Sequence, residues 1–209
     1  MQTLLTATQG ISLWELAAVL LAIAYLLLAV GERLLCWYCA FISTAIYTAI
    51  FWDVNLLMDS ALNVYYMAMA VFGWYQWKYG GNSKTDAKTI RNGIGISSLS
   101  QSQHLIIIVS ITLLSLVSGF LLSKYSQAAW PYVDSFTTWG SVFATYLVAR
   151  KYLENWLYWI VIDTVSVPLY LDRGLNLTAL LFGAYAIIAI VGYFNWRNHF
   201  RRGGVLVEA

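Results

Sequence analysis

The chain alternates long apolar runs with short polar breaks. From the N-terminus the runs are Leu13–Val30, Leu34–Trp52, Leu56–Trp77, His104–Ser123, Phe136–Val148, Leu153–Leu171 and Leu175–Trp196. Most approach the ~20 residues an α-helix needs to cross the hydrocarbon core of a bilayer. Phe136–Val148 is the shortest and carries Thr137, Thr138 and Ser141, so its ends are the least defined. No period-two alternation recurs, so helices are expected rather than a barrel, the other form that satisfies every backbone group in lipid. The longest polar stretch, Gly80 to Gln103, reads as a connector between two halves. The pattern predicts an all-α integral membrane protein with seven transmembrane helices.

Composition agrees. Of 209 residues, 60% are hydrophobic and 11% charged, against about 25% charged in soluble domains. Mean hydropathy is +0.66. A net charge of +2 gives no support to a nucleic-acid partner. No short apolar stretch precedes a polar mature region, so no cleaved secretory signal is expected. Charge placement also predicts orientation. With the N-terminus outside, Arg33, Lys78, Lys84, Lys88, Arg91, Arg150, Lys151, Arg197, Arg201 and Arg202 lie inside, and only Lys124 and Arg173 lie outside. Basic residues are retained on the cytoplasmic side, so the C-terminus is expected there too.

The chain repeats itself at an offset of 119 residues. Trp37 meets Trp156, Asp53 meets Asp172, Tyr66 meets Tyr185, Gly73 meets Gly192 and Trp77 meets Trp196. Leu28, Leu34, Leu56, Leu62 and Ala70 meet Leu147, Leu153, Leu175, Leu181 and Ala189. Composition alone would give roughly four such matches. The excess includes tryptophan, glycine and aspartate, which apolar composition does not supply. The expected architecture is two three-helix repeats joined by a linker helix, in one domain covering 1–209. The first repeat is 11–78, the linker helix 104–123 and the second repeat 134–197. One linking helix returns the chain to its starting side, so the repeats are parallel, as in some transporter folds with midplane sites.

Candidate chemistry lies at the midplane. Asp163 falls halfway along the sixth run, where a carboxylate costs at least ~2.5 kcal/mol on insertion scales. No lysine or arginine lies at its depth, so a polar cavity, or else a helix–helix hydrogen bond, is expected around it. Trp159 is one turn away on the same face. Thr44 is the repeat mate of Asp163. Tyr66 and Tyr185 are mates of one another, and Asn63 lies one turn outward from Tyr66. Aromatic faces, an amide, hydroxyls and one carboxylate suit a flat, polar, weakly cationic solute and not a phosphorylated one. Pro168 can kink the sixth helix beside the aspartate. Trp37, Trp77, Trp156 and Trp196 read as anchors in the headgroup layer, and Gly73 and Gly192 as close-packing positions. Cys36 and Cys39 read as apolar fillers rather than a redox or metal pair. His104 and His199 read as isolated. No catalytic residues, cofactor or metal site is expected, because no nucleophile–base pair or ligand set converges.

Two segments, YYMAMAVFGWYQW (Tyr65 to Trp77) and RKYLENWLYWIVID (Arg150 to Asp163), resemble the PnuC family of bacterial nicotinamide riboside transporters. DSFTTW before the second segment and VSVPLY after it strengthen that match. The resemblance implies a fold similar to the SWEET sugar transporters, a homotrimer in the bacterial inner membrane, and facilitated diffusion of nicotinamide riboside. It also implies substrate contacts from Asn63, Tyr66, Trp156, Trp159 and Asp163. Two alternatives stand beside it: a proton-coupled carrier of a related nucleoside-like vitamin, with Asp163 titrating, and a membrane protein without transport.

Overall fold

The computed structural model describes residues 13–53, 57–80, 94–126, 130–172, 174 and 176–205. Seven helices form among them: α1 (Leu13–Val30), α2 (Cys36–Asp53), α3 (Leu57–Tyr79), α4 (Gln101–Tyr125), α5 (Pro131–Ala149), α6 (Asn155–Asp172) and α7 (Asn176–Val205). By length and composition, Leu13–Val30, Gln101–Tyr125 and Thr178–Arg202 are the helices most clearly able to span a bilayer. Helix α5 begins five residues earlier than its apolar run. Pro131 sits at its first turn, where a missing N–H costs nothing. Two of its hydroxyls bond inside the helix, Thr137 to the Asp134 carbonyl and Thr145 to that of Ser141. Helix α7 continues nine residues past Trp196.

Neighbouring helices pack in a ring. α1 meets α2, α2 meets α3, α3 meets α5, α5 meets α6, α6 meets α7, and α7 returns to α1. α4 packs on α5 outside that ring. The offset maps α1, α2 and α3 onto α5, α6 and α7. The two contacts between repeats, α3 with α5 and α1 with α7, are therefore mates of one another. This is the arrangement expected of parallel repeats about a central pseudo-twofold axis.

The first helix of each repeat ends in the same way. In α1, the Glu32 amide donates to the Ala29 carbonyl and the Arg33 amide to that of Leu28. In α5, Lys151 donates to Val148 and Tyr152 to Leu147. Both are Schellman closures, which usually place glycine at the left-handed position. Here that position holds Glu32 and Lys151, each at φ 53°. A left-handed non-glycine residue costs about 1–2 kcal/mol.

The described part of the connector is not a passive link. Ser97 bridges the second closure: its amide donates to the Lys151 carbonyl, and its own carbonyl accepts from Leu153. Glu154 accepts from the Ser98 hydroxyl and the Leu99 amide. Ser100 then starts α4 with a capping box closed by Gln103. Lys84, Lys88, Arg91 and Arg173, counted in the orientation, lie outside the described residues.

Candidate functional site

Two layers stack along the ring axis, a tryptophan plug and a layer of buried polar and aromatic side chains around Asp163. The plug is built from repeat mates. Trp37 and Trp77 meet edge-on with centroids 5.3 Å apart at 87°, and Trp156 and Trp196 at 5.4 Å and 89°. Trp77 and Trp196 touch across the axis at 5.9 Å. Each then donates from Nε1 to the other repeat, Trp77 to the Val148 carbonyl and Trp196 to that of Ala29, both at 3.1 Å. Those two carbonyls are themselves mates, so the bonds are exchanged about the axis. Trp37 and Trp156 lie under the glycines. A Cβ on Gly73 would collide with the Trp37 ring, and one on Gly192 would lie 2.8 Å from that of Trp156.

The reading of these tryptophans as headgroup anchors is corrected by their burial. Trp37, Trp77, Trp156 and Trp196 are 2%, 6%, 1% and 0% exposed and form one core cluster with Cys36, Ala70 and Ala189. Sequence position put them near the membrane surface. It did not show that their rings turn toward the axis, where glycine leaves room. Among the described residues the indole nitrogens of Trp37 and Trp156 have no hydrogen-bond partner.

The histidines are not isolated either. His199 donates from Nδ1 to Glu32 at 2.6 Å. Lys151 pairs with the other Glu32 oxygen at 2.9 Å and lies 4.6 Å from the Trp77 ring centroid. Burial pushes the Glu32 carboxyl up, but Lys151 and His199 more than offset it, and the group is held below the ordinary carboxylate range. His104 shares a 2.9 Å hydrogen bond with the Tyr158 hydroxyl.

The polar layer begins farther along the same helix faces. Asp163 is seven residues beyond Trp156, about 10 Å at 1.5 Å per residue. It is 3% exposed. Among the described residues no cation pairs with its carboxylate and no side chain donates to it. Trp159 is half-buried between Asp163 and the plug and packs on the core cluster. Tyr185 lies near Asp163 and near Tyr47 from the opposite repeat. Tyr66 lies near Ser141, Tyr25 and Tyr170. Asn63 is half-buried on α3. Thr44, the mate of Asp163, spends its hydroxyl on its own helix, donating to the Ala40 and Phe41 carbonyls. Helix α6 runs unbroken through Pro168.

The structure thus places Tyr185 near Asp163, with its mate Tyr66 at the corresponding position of the other repeat and Trp159 one turn from Asp163 on the plug side. Trp156 sits apart, in the plug. Sequence reasoning missed Tyr25, Tyr47, Ser141 and Tyr170. Two of these carried a signal: Tyr47 lies three residues from Thr44 and Tyr170 seven from Asp163, both on the inward faces. A separate groove of about 380 Å³ lies between α4, α5 and α6, lined by Ile108, Ile111, Phe136, Val161 and other residues. Asp163 does not line it and its walls are apolar, so it is not where a polar solute would bind.

Comparison with known proteins places this arrangement. The Streptomyces davaonensis riboflavin/roseoflavin transporter RibM is 26% identical over 178 residues, covering 84% of this chain and 81% of its own. The Escherichia coli nicotinamide riboside transporter PnuC is 26% identical over 197 residues, covering 85% and 82%. The crystal structure of a vitamin B3 transporter PnuC superposes with a TM-score of 0.71 at 20% identity, covering 96% of this chain and 87% of that one. The model of the nicotinamide mononucleotide transporter family matches residues 12–198. A closed six-helix ring with a polar interior, matched over nearly its whole length, makes this chain a membrane transport protein belonging to the nicotinamide mononucleotide transporter family.

Proposed function

We propose that the protein imports nicotinamide riboside across the bacterial inner membrane by facilitated diffusion, through alternating access of the two repeats. The observation that carries this reading is the buried Asp163 carboxylate, unpaired by any described cation, near Tyr185 and one helical turn from Trp159. Nicotinamide riboside presents a pyridinium cation and a flat ring. The carboxylate supplies the opposite charge, and the tyrosines and Trp159 supply stacking faces. Nicotinamide mononucleotide adds a phosphate, and no lysine or arginine lies within the membrane-spanning runs to balance it. In this reading the charge bias puts the N-terminus outside and the plug at the cytoplasmic end. The substrate contacts are Asn63, Tyr66, Trp159, Asp163 and Tyr185, with Thr44 beside them and Trp156 below. The 1–209 domain with repeats 11–78 and 134–197 forms the transport unit, and the homotrimer belongs to the same proposal.

The riboflavin/roseoflavin relative favours a second reading, a neutral flavin-like substrate, since it matches at the same 26% identity. Calorimetric titration of the purified protein with nicotinamide riboside, nicotinamide mononucleotide, riboflavin and thiamine separates the two. The first reading expects binding of nicotinamide riboside alone. Tighter riboflavin binding would replace it with the second. A proton-coupled cycle using Asp163 predicts uptake that follows an imposed pH gradient, and the uniporter predicts indifference to it.

A further inference from the structure

The two strained helix closures hold opposite charges at mate positions. Glu32 and Lys151 are 119 residues apart, as are all the other mates, and their side chains meet across the axis. A glycine would fit each left-handed position without strain. Charge stands there instead, and the structure shows what it reaches. Glu32 is gripped by Lys151 on one oxygen and His199 on the other. Lys151 also covers the Trp77 ring, and Ser97 of the connector holds its backbone. From the same repeat, Asn195 donates to the Val30 carbonyl at 2.6 Å. Every one of these contacts between repeats lies at the plug end. The Trp37 and Trp156 indoles beneath are buried without acceptors, so the plug is held closed against an unfavourable feature of its own.

We infer that Glu32, Lys151 and His199 form a latch that closes the plug end of the transport path and must part for substrate to leave on that side. The inference deepens the proposed transport cycle and rests on it. Glu32 and Lys151 are gating residues that set the balance between closed and open states, and they do not touch substrate.

Cys36 is a built-in reporter. It is fully buried in the plug cluster and lies within electrostatic range of Lys151. The test uses the full chain in membrane vesicles on a Cys39→Ala background, with a membrane-impermeant maleimide applied from either face. Glu32→Gly and Lys151→Gly should each raise the rate of Cys36 labelling on the order of tenfold. The double variant should add little, because both changes break one pair. Neither variant should lower the melting temperature as an ordinary lost ion pair would, because glycine relieves the left-handed strain. The charge exchange Glu32→Lys with Lys151→Glu should restore protection. Labelling that stays at the parent rate from both faces overturns the latch. Raised labelling from the external face only supports the latch and overturns the membrane orientation in the proposed function.

Discussion

The plug and the polar layer around Asp163 use the same helices, yet one keeps the repeat symmetry and the other breaks it. In the plug nearly every part has its mate. Trp37 answers Trp156, Gly73 answers Gly192, Trp77 answers Trp196, and the accepting carbonyls of Ala29 and Val148 answer each other. In the polar layer only Tyr66 and Tyr185 correspond. Thr44 stands opposite Asp163, Ala40 opposite Trp159, Phe182 opposite Asn63 and Ser166 opposite Tyr47. A closure formed by two like units meeting on an axis is self-complementary, so identical parts serve both sides. A small solute has no twofold axis, so a site that orients it gains from having one carboxylate rather than two. Two carboxylates at that depth would also repel each other in a low-dielectric interior.

The largest expected break in this comparison is at the unmatched residue. Asp163→Ala should reduce nicotinamide riboside uptake in proteoliposomes by roughly tenfold or more, the loss expected when a charge-assisted contact disappears. Thr44→Ala should change it little, because its hydroxyl is already spent on its own helix. Asp172→Ala should fall near the parent rate, since that carboxylate is exposed and bonded to the Trp130 indole. Equal losses at Asp163 and Asp172 would remove the buried site.

The matched residues should respond as matched pairs. Gly73→Ala and Gly192→Ala each force a methyl into an indole ring, and each should cost about 1–3 kcal/mol of stability. Thermal melts in detergent would show it, and a free Gly192→Ala would mean the second plug half is loose. Smaller and equal effects are expected from Trp77→Phe and Trp196→Phe. Each loses one hydrogen bond to the opposite repeat, worth about 0.5–1.5 kcal/mol. Clearly unequal melting shifts would break the symmetry argued for the plug.

The smallest effect is a pH dependence. Glu32 is held below its ordinary pKa in the folded state. A depressed carboxylate stabilises the fold above its unfolded pKa, and that contribution is lost as pH falls through the folded value. Melting temperature should therefore fall more steeply below about pH 4 in the parent than in Glu32→Gln. Parallel curves would mean that Glu32 contributes nothing to the closed end.

Much of this was legible along the chain. The seven apolar runs and the polar breaks gave the helices, because lipid admits few other ways to satisfy a backbone. The 119-residue offset gave the repeats, and Asp163 stood out because a lone carboxylate amid apolar residues is costly. The same offset already paired Glu32 with Lys151, yet two unlike residues at matching positions look like divergence until their side chains are seen to meet.

The sequence by itself determined how many helices there are, how they repeat and where the charge is buried, because these follow from local periodicity and the cost of polarity in lipid. Only the tertiary structure decided that the four tryptophans turn inward, that His199 and Lys151 share one carboxylate, and that the connector grips the second closure. Those facts depend on which helix faces meet across the axis. Residues 119 and 167 positions apart in sequence become neighbours there, and no local pattern records that distance.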